Sequence, residues 1–237
     1  RLGWAVGAAV LCAMVLALGL RGARPDPPAR AGAVIQFGDG SVTKASGTGG
    51  ALEVSGGHAT GVVSLGGTWN ASAGTGLQFN NADSSYLFGG IVTLNGGDAG
   101  IDITNGSSGQ VSITNIGSVI TNPNAGSAFN MTGSSTSVSY AGTITQNTAS
   151  QRAVVITGQT GTSTTAFSGP VNSTALGILL GGTAGNVNTS TTTIVFQGGM
   201  NLNTGANAAF TATSAGTLTV CDEAPCNPAL TGGLVNT

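Results

Sequence analysis

The sequence pattern that decides the fold is FNMTGSSTSVSYAGTITQNTASQ (residues 129–151), RAVVITGQTGTSTTAFSGPVNSTA (152–175), LGILLGGTAGNVNTSTTTIVFQGGMNLNTGAN (176–207) and AAFTATSAGTLTV (208–220). Each line begins with a short strand of alternating apolar residues and continues into a turn of small polar residues. In the first three lines an aromatic residue then leads through glycine into another strand. Such self-similarity indicates a repeat architecture.

Two sequence markers keep the same spacing along most of the chain. The glycine after the aromatic slot falls at positions 67, 90, 117, 142, 169 and 199, in steps of 23 to 30 residues. The slot at Asn115–Gly117 lacks an aromatic residue and fits least well. Apolar residues that open the first strand of each unit keep a similar step, at Leu52, Leu77, Ile101, Phe129, Val154, Ile178 and Phe210. The longest steps span the polar run 184–193, which predicts an insertion that loops out of one coil.

The repeat unit predicts an all-β fold, a right-handed parallel β-helix (a solenoid) of about seven coils. Each unit holds two or three strands and no segment with helical periodicity. A unit this small cannot bury its apolar face alone, but stacked units build a continuous core. Tyr140, Phe167 and Phe196 occupy the same slot in successive coils, so we expect their rings to form an internal ladder.

The phrases GILLGG (177–182) and TIVFQGGMNLNTGANAAFTATSAGTLTV (193–220) resemble large bacterial surface proteins built of Gly/Thr/Asn-rich β-strand repeats. The resemblance is strongest after Phe129. It implies a right-handed β-helix with a pectin-lyase-like fold and a secretion signal. It implies no catalytic residue, because its motifs are specific to the repeat and not to an activity.

The amino-terminal residues predict export from the cell. Leu2–Leu20 is almost wholly apolar and is followed by RGARPDPPARA (21–31). An apolar core, a polar flank and the small-residue site Ala29–Ala31 are typical of a signal peptide, here cleaved after Ala31. A hydrophobic membrane-anchoring helix is the alternative, because a stretch of this length just spans a bilayer. We assign residues 1–31 to the signal peptide (or anchor) and residues 32–237 to the β-helix domain.

The two ends of the repeat domain differ in sequence. Residues 33–44 (AVIQFGDGSVTK) predict a first strand pair around the turn Gly38–Gly40. We expect this pair to close the amino-terminal end, since an open coil exposes unpaired backbone groups. No polar cap follows Val220. We therefore expect the sequence to be truncated inside a rod whose next neighbours are further coils of the same chain.

The charge balance excludes a nucleic-acid partner. Without residues 1–31 the cations are Lys44 and Arg152, against seven acidic side chains, a net charge of −5 with His58 neutral. Nucleic-acid binding requires clustered Lys and Arg to neutralise phosphates. We expect a surface of hydroxyls and amides instead.

The candidate catalytic residues are few. Asp98 and Asp102 are the only close acidic pair of the repeat region, and a glycosidase needs two carboxylates about 5–10 Å apart. Turn and outward-facing roles explain both residues, and no basic or His partner lies nearby in sequence. Arg152 could serve as a lyase base, but a solvated corner residue explains it better. We predict no catalytic residue and no enzyme activity.

Metal and cofactor sites are not expected either. His58 has no second His within ligand spacing, so we interpret it as a surface turn residue. The segment GGDAGIDIT (96–104) resembles a calcium-binding nonapeptide of β-rolls, but it has one residue too many before the Asp and occurs once. We interpret this similarity as coincidental.

Cys221 and Cys226, in CDEAPCN, are the sharpest local feature of the exported chain. Two cysteines in a secreted protein favour a disulfide, here closing a small loop that contains Pro225. Metal binding or free thiols are the alternatives, although two thiols without further ligands make a poor zinc site.

Two function classes remain open. The first is a non-catalytic structural or adhesin-like β-helix protein, secreted or at the cell surface of a bacterium, that contacts host, matrix or glycan surfaces. The second is a fragment of a carbohydrate-active enzyme or glycan-binding β-helix whose active coils lie outside this segment. A membrane contact is expected only through an uncleaved amino-terminal segment.

Overall fold

A computed structural model describes residues 33–57, 61–98, 100–183 and 185–221 of the 237-residue chain. Every regular element in these ranges is a β-strand. In the same ranges no helix is both long and apolar enough to cross a bilayer. The predicted signal or anchor, residues 1–31, lies outside the described residues.

The described strands form three parallel sheets, and each strand pairs with the third strand before and after it. Sheet A contains β1 (Ala33–Phe37), β4 (Gly61–Leu65), β7 (Ser85–Phe88), β10 (Gln110–Ile113), β13 (Ser137–Tyr140), β16 (Thr164–Phe167), β19 (Thr193–Phe196) and β22 (Thr217–Val220). Sheet B contains β2 (Ser41–Lys44), β5 (Thr68–Ala71), β8 (Val92–Asn95), β11 (Val119–Thr121), β14 (Thr143–Gln146), β17 (Val171–Ser173) and β20 (Met200–Leu202). Sheet C contains β3 (Leu52–Ser55), β6 (Leu77–Asn80), β9 (Ile101–Thr104), β12 (Phe129–Thr132), β15 (Val154–Thr157), β18 (Ile178–Leu180) and β21 (Phe210–Ala212). The predicted all-β parallel solenoid of about seven coils is confirmed.

Sheet C confirms the predicted repeat spacing. The apolar residues that open its strands lie directly over one another, in the order Leu52, Leu77, Ile101, Phe129, Val154, Ile178 and Phe210. The middle five of these side chains are fully buried. Period-2 alternation therefore places one residue of each coil in the same inward row.

The aromatic slot lies in the last inward row of sheet A. Tyr140, Phe167 and Phe196 are in register on adjacent strands and are buried. The rings of Phe167 and Phe196 stack with centroids 5.1 Å apart at 11°. Phe129 of sheet C meets Phe167 edge-on at 5.0 Å, so the ladder is tied to a second sheet. Tyr140, the third aromatic residue of the slot, also has a polar contact, since its hydroxyl donates to the Thr143 carbonyl oxygen at 3.2 Å.

The prediction for the slot at Asn115–Gly117 was wrong. Ile113, not Asn115, lies between Phe88 and Tyr140 in the register. Ile113 is buried, whereas Ile116 is 85% exposed. The Asn115 side chain accepts a hydrogen bond from the Gly117 N–H at 2.9 Å, and this turn widens the corner before β11.

Glycines allow the corners between sheets A and B to stack closely. A Cβ atom on Gly90 would lie 1.6 Å from the carbonyl oxygen of Gly67 in the coil before it. No side chain fits there, because real Cβ atoms do not approach backbone so closely. The glycine spacing in the sequence thus reflects coil-to-coil contact.

Residues 33–44 form the two predicted strands, but these strands do not pair with each other to close the amino-terminal end. The turn at Gly38–Gly40 is present, with Gly40 N–H donating to the Gly38 carbonyl oxygen at 2.9 Å. However, β1 pairs with β4 and β2 with β5, not with each other. These strands are the first coil of the solenoid, and in the described part of the chain no strand covers their outer edge.

The prediction of an insertion that loops out at 184–193 was wrong for the centre of that run. The Asn188 side chain is only 5% exposed. Its amide donates to the carbonyl oxygens of Ile156 at 3.0 Å and Ser214 at 2.9 Å. Its oxygen accepts from the Gln159 N–H at 2.8 Å. Asn188 packs inward because these buried backbone groups need partners, while residues 185–187, 190 and 191 are exposed as predicted. Ala184 itself lies outside the described residues.

Candidate functional site

Asp102 is part of a polar ladder on the outer face of sheet C. It lies on β9 in register with Gln78 of β6 and Asn130 of β12. The Gln78 side-chain amide donates to Asp102 Oδ2 at 2.6 Å, and the Asn130 amide donates to Oδ1 at 2.9 Å. Both carboxylate oxygens therefore accept hydrogen bonds from neighbouring coils. The carboxylate braces three coils together.

Burial dominates the electrostatics of this acidic pair. Burial raises the pKa of Asp102, while the hydrogen bonds from Asn130 and Gln78 lower it in part. Burial also raises the pKa of Asp98, and the charge of Asp102 adds to that rise. A raised carboxyl pKa suits a general acid. Here, however, protein amides occupy both oxygens of Asp102, and the ladder explains the residue without a substrate.

Arg152 lies at a corner of the solenoid and connects two coils. Its Nη1 donates to the carbonyl oxygen of Leu176 at 2.9 Å, one coil further along. The side chain is partly buried. Arg152 is thus hydrogen-bonded across coils and is less solvated than the sequence alone suggested.

The remaining sequence candidates do not assemble into a metal site within the described ranges. Among those residues, no three His, Cys, Asp or Glu side chains come together as possible ligands. His58 lies outside the described residues. Asp98 packs beside the corner at Gly126, where an added Cβ would overlap its carboxylate.

Cys221 follows β22 and is nearly buried. Its N–H donates to the Phe196 carbonyl oxygen at 2.8 Å, which continues the pairing of β19 and β22. Cys221 is disulfide-bonded. Cys226 lies outside the described residues, so the pairing Cys221–Cys226 stays a prediction.

A groove runs over the corner that follows sheet A in the first four coils. Its volume is about 750 Å³. Its lining combines amide, carboxylate and hydroxyl groups with apolar side chains, and includes Gln36, Phe37, Asp39, Ser64, Leu87 and Ser112. Phe37 is 43% exposed and Leu87 36% exposed. The groove thus offers both apolar and hydrogen-bonding surface to a ligand.

The groove was not predicted from the sequence. Its signals are the aromatic Phe37 directly before Gly38, and Leu87 at an outward position otherwise occupied by Ser and Gln in neighbouring strands. Gly89 lines the groove, and the space in which its side chain would lie is empty, since an added Cβ would meet no atom within 4 Å. The absence of a side chain at this position therefore leaves the groove open. These signals depend on which coil lies next to which, and the sequence does not show that directly.

The outer faces of two sheets are free of ionisable side chains. No strand of sheet A, and no strand of sheet B from β5 to β20, contains Asp, Glu, Lys, Arg or His. Their outward positions are mostly Ser, Thr, Asn and small apolar residues. Within the described strands, charges therefore lie on sheet C and at Lys44.

No protein-family model, curated protein or solved structure matches this chain.

Proposed function

We propose that this chain is a non-catalytic structural or adhesin-like β-solenoid, exported to the cell surface or the medium of a bacterium. The observation that carries the proposal is the chemistry of its outer faces. Sheets A and B present long uncharged rows, and Asp102, one member of the acidic pair that could support hydrolysis, braces neighbouring coils. Regular parallel coils suit a rigid rod that holds other groups away from a membrane. A right-handed, pectin-lyase-like arrangement is part of the same proposal.

Glycan binding is the second candidate, and the groove beside Phe37 favours it. A sugar ring has apolar C–H faces and hydroxyl edges. The groove matches both, since Phe37 and Leu87 are exposed beside Gln36, Asp39 and Ser64. The same groove could belong to a module of a larger carbohydrate-active enzyme.

Turnover assays test the non-catalytic proposal. The protein is incubated with neutral and acidic polysaccharides, and new reducing ends and unsaturated uronides are measured. We expect no more product than with Asp98→Asn/Asp102→Asn. Product that disappears in this double variant would overturn the proposal. Antibody labelling of intact cells, with a cytoplasmic protein as the control, tests the surface location.

A glycan array tests the second candidate. Gly89→Trp fills the groove without backbone strain, because Gly89 has no positive φ and its Cβ direction is open. Thr164→Trp is the matched control, as it adds the same ring to an exposed position of sheet A away from the groove. Loss of a glycan signal in Gly89→Trp alone would place glycan binding in the groove. A signal that persists in both variants would exclude the groove as the site.

A further inference from the structure

Two Asn-Gly pairs lie at corners of the described solenoid, Asn95–Gly96 and Asn105–Gly106. An Asn followed by Gly can react without an enzyme, because the Gly has no side chain to keep its backbone nitrogen away from the Asn amide. The Gly nitrogen attacks Cγ of the Asn, a five-membered succinimide closes, and the side-chain nitrogen leaves as ammonia with the proton of the Gly N–H. One water molecule then opens the ring to an aspartyl or an isoaspartyl residue.

Exposure does not distinguish the two pairs. Asn95 is the last residue of β8 and Asn105 directly follows β9, and both side chains are exposed. Any difference in their reactivity must therefore come from the hydrogen bonds that hold each side-chain amide and each glycine N–H.

Hydrogen bonds restrain both reacting groups of the second pair. The Asn105 side-chain amide donates to Asn80 Oδ1 at 2.9 Å. The Gly106 N–H, whose nitrogen would be the nucleophile, donates to the carbonyl oxygen of Gly133 in the next coil at 2.7 Å. Both hydrogen bonds must break before the Gly106 nitrogen can reach the Cγ of Asn105. At this corner the fold therefore opposes the reaction.

Neither restraint is present at the first pair. Among the described residues, no group forms a hydrogen bond of ordinary geometry with the Asn95 side chain or with the Gly96 N–H. The strand ends here, and Gly96 and Gly97 continue the chain with φ values of 85° and 62°. No side chain stands on this corner before Asp98. The Gly96 nitrogen is thus free to approach the Cγ of Asn95.

Deamidation of Asn95 would change the outer face of sheet B. Asn95 lies in a row of neutral polar residues that continues through Thr121, Thr145, Asn172 and Asn201. The reaction replaces its amide by a carboxylate, which would be the first ionisable group of that row. An isoaspartyl product also adds a methylene group to the backbone where β8 ends, and so disturbs the pairing of Asn95 with Thr121.

We propose that Asn95 is a site of spontaneous deamidation and that the fold protects Asn105 from the same reaction. Water is the one co-reactant, and no enzyme or cofactor takes part. As the protein ages, one position on the uncharged face of sheet B becomes negatively charged. The proposal rests on the chemistry of two corners and does not depend on the function of the faces.

The test uses the full wild-type chain, aged in mildly alkaline buffer at physiological temperature and sampled over weeks. Peptide mapping with fragment-ion mass spectrometry assigns the mass increase of an Asn-to-Asp conversion to Asn95 or to Asn105. In the folded protein we expect Asn95 to react at least about tenfold faster, since both hydrogen bonds of the second pair must open first. In urea-unfolded chain we expect the two residues to react at similar rates, because the fold no longer protects either.

Asn95→Gln is the matched control, because the longer side chain keeps the amide but closes a ring far more slowly. Isoelectric focusing should show an acidic band that accumulates in the aged wild type and not in this variant. The proposal is overturned if Asn95 stays intact in the aged folded protein, if Asn105 reacts there as fast as Asn95, or if the acidic band forms equally in Asn95→Gln.

Discussion

Phe167→Ala probes a ring contact in the middle of the stacked core. Phe167 is fully buried, lies between Tyr140 and Phe196 in the register, and stacks on the Phe196 ring at 5.1 Å. Its edge contact with Phe129 joins sheet A to sheet C. The substitution removes both ring contacts and leaves a cavity in the middle of the coils.

The expected loss follows from burial and ring contacts. Replacing a buried Phe by Ala costs about 3–5 kcal/mol. Two aromatic pairs, each worth about 0.5–1.5 kcal/mol beyond burial, favour the upper part of that range. For a domain of this size, each kcal/mol of lost unfolding free energy lowers the thermal unfolding midpoint by about 2–4 °C. Because coils contact only their neighbours, hydrogen-exchange protection should fall most in the coils around β16.

Thermal and urea unfolding, followed by far-UV circular dichroism, measures this loss. Ile116→Ala is the matched control, since Ile116 is 85% exposed and its truncation should change stability by no more than about 0.5 kcal/mol. Arg152→Ala removes one hydrogen bond, worth about 0.5–1.5 kcal/mol. Asp102→Ala removes the hydrogen bonds from Gln78 and Asn130, and the loss is partly offset because a carboxylate that is costly to bury is removed with them. An unchanged midpoint for Phe167→Ala, together with a sharp fall for Arg152→Ala or Asp102→Ala, would refute the register argument.

Three further predictions concern export, oxidation and pH. Amino-terminal sequencing of exported protein should find Gly32 as the first residue, and material that retains Leu2–Leu20 would favour a membrane anchor. Mass spectrometry without reduction should show Cys221 and Cys226 joined, with the mass of two hydrogens lost; alkylation of both thiols would contradict this. Burial raises the pKa of Asp102 above its ordinary value of 3.8, so its protonated form favours the folded state, and this stability is lost as the pH rises through the folded pKa. We therefore compare the unfolding free energies of the wild type and Asp102→Asn, and the wild-type value minus the variant value should fall from acid to neutral pH. A difference that stays flat or rises would show that burial does not control the pKa of Asp102.

Much of the coil spacing could be predicted because an inward row requires one apolar residue per coil. Leu52, Leu77 and Ile101 carried that signal, and the structure places them over one another. The prediction failed where a corner changes length. At Ile113 the wider turn formed by Asn115 moves the buried residue away from the apparent slot.

The candidate site was less accessible to sequence reasoning. The partners of Asp102 are Gln78 and Asn130, which lie 24 and 28 residues away in sequence. No local motif joins them. The groove beside Phe37 likewise depends on four corners that come together only when the coils stack.

The sequence by itself determined that this chain is a parallel stack of short strands, because the alternation of apolar and polar residues and the spacing of the glycines indicate which residues face inward in each coil. The tertiary structure decided what each polar residue does. Asn188 packs inward to satisfy buried backbone groups, and Asp102 braces three coils. Lys44 proves to lead an otherwise apolar row. The physical reason is that a residue's neighbours in a solenoid come from adjacent coils, and corners of variable length set that register through hydrogen bonds between coils.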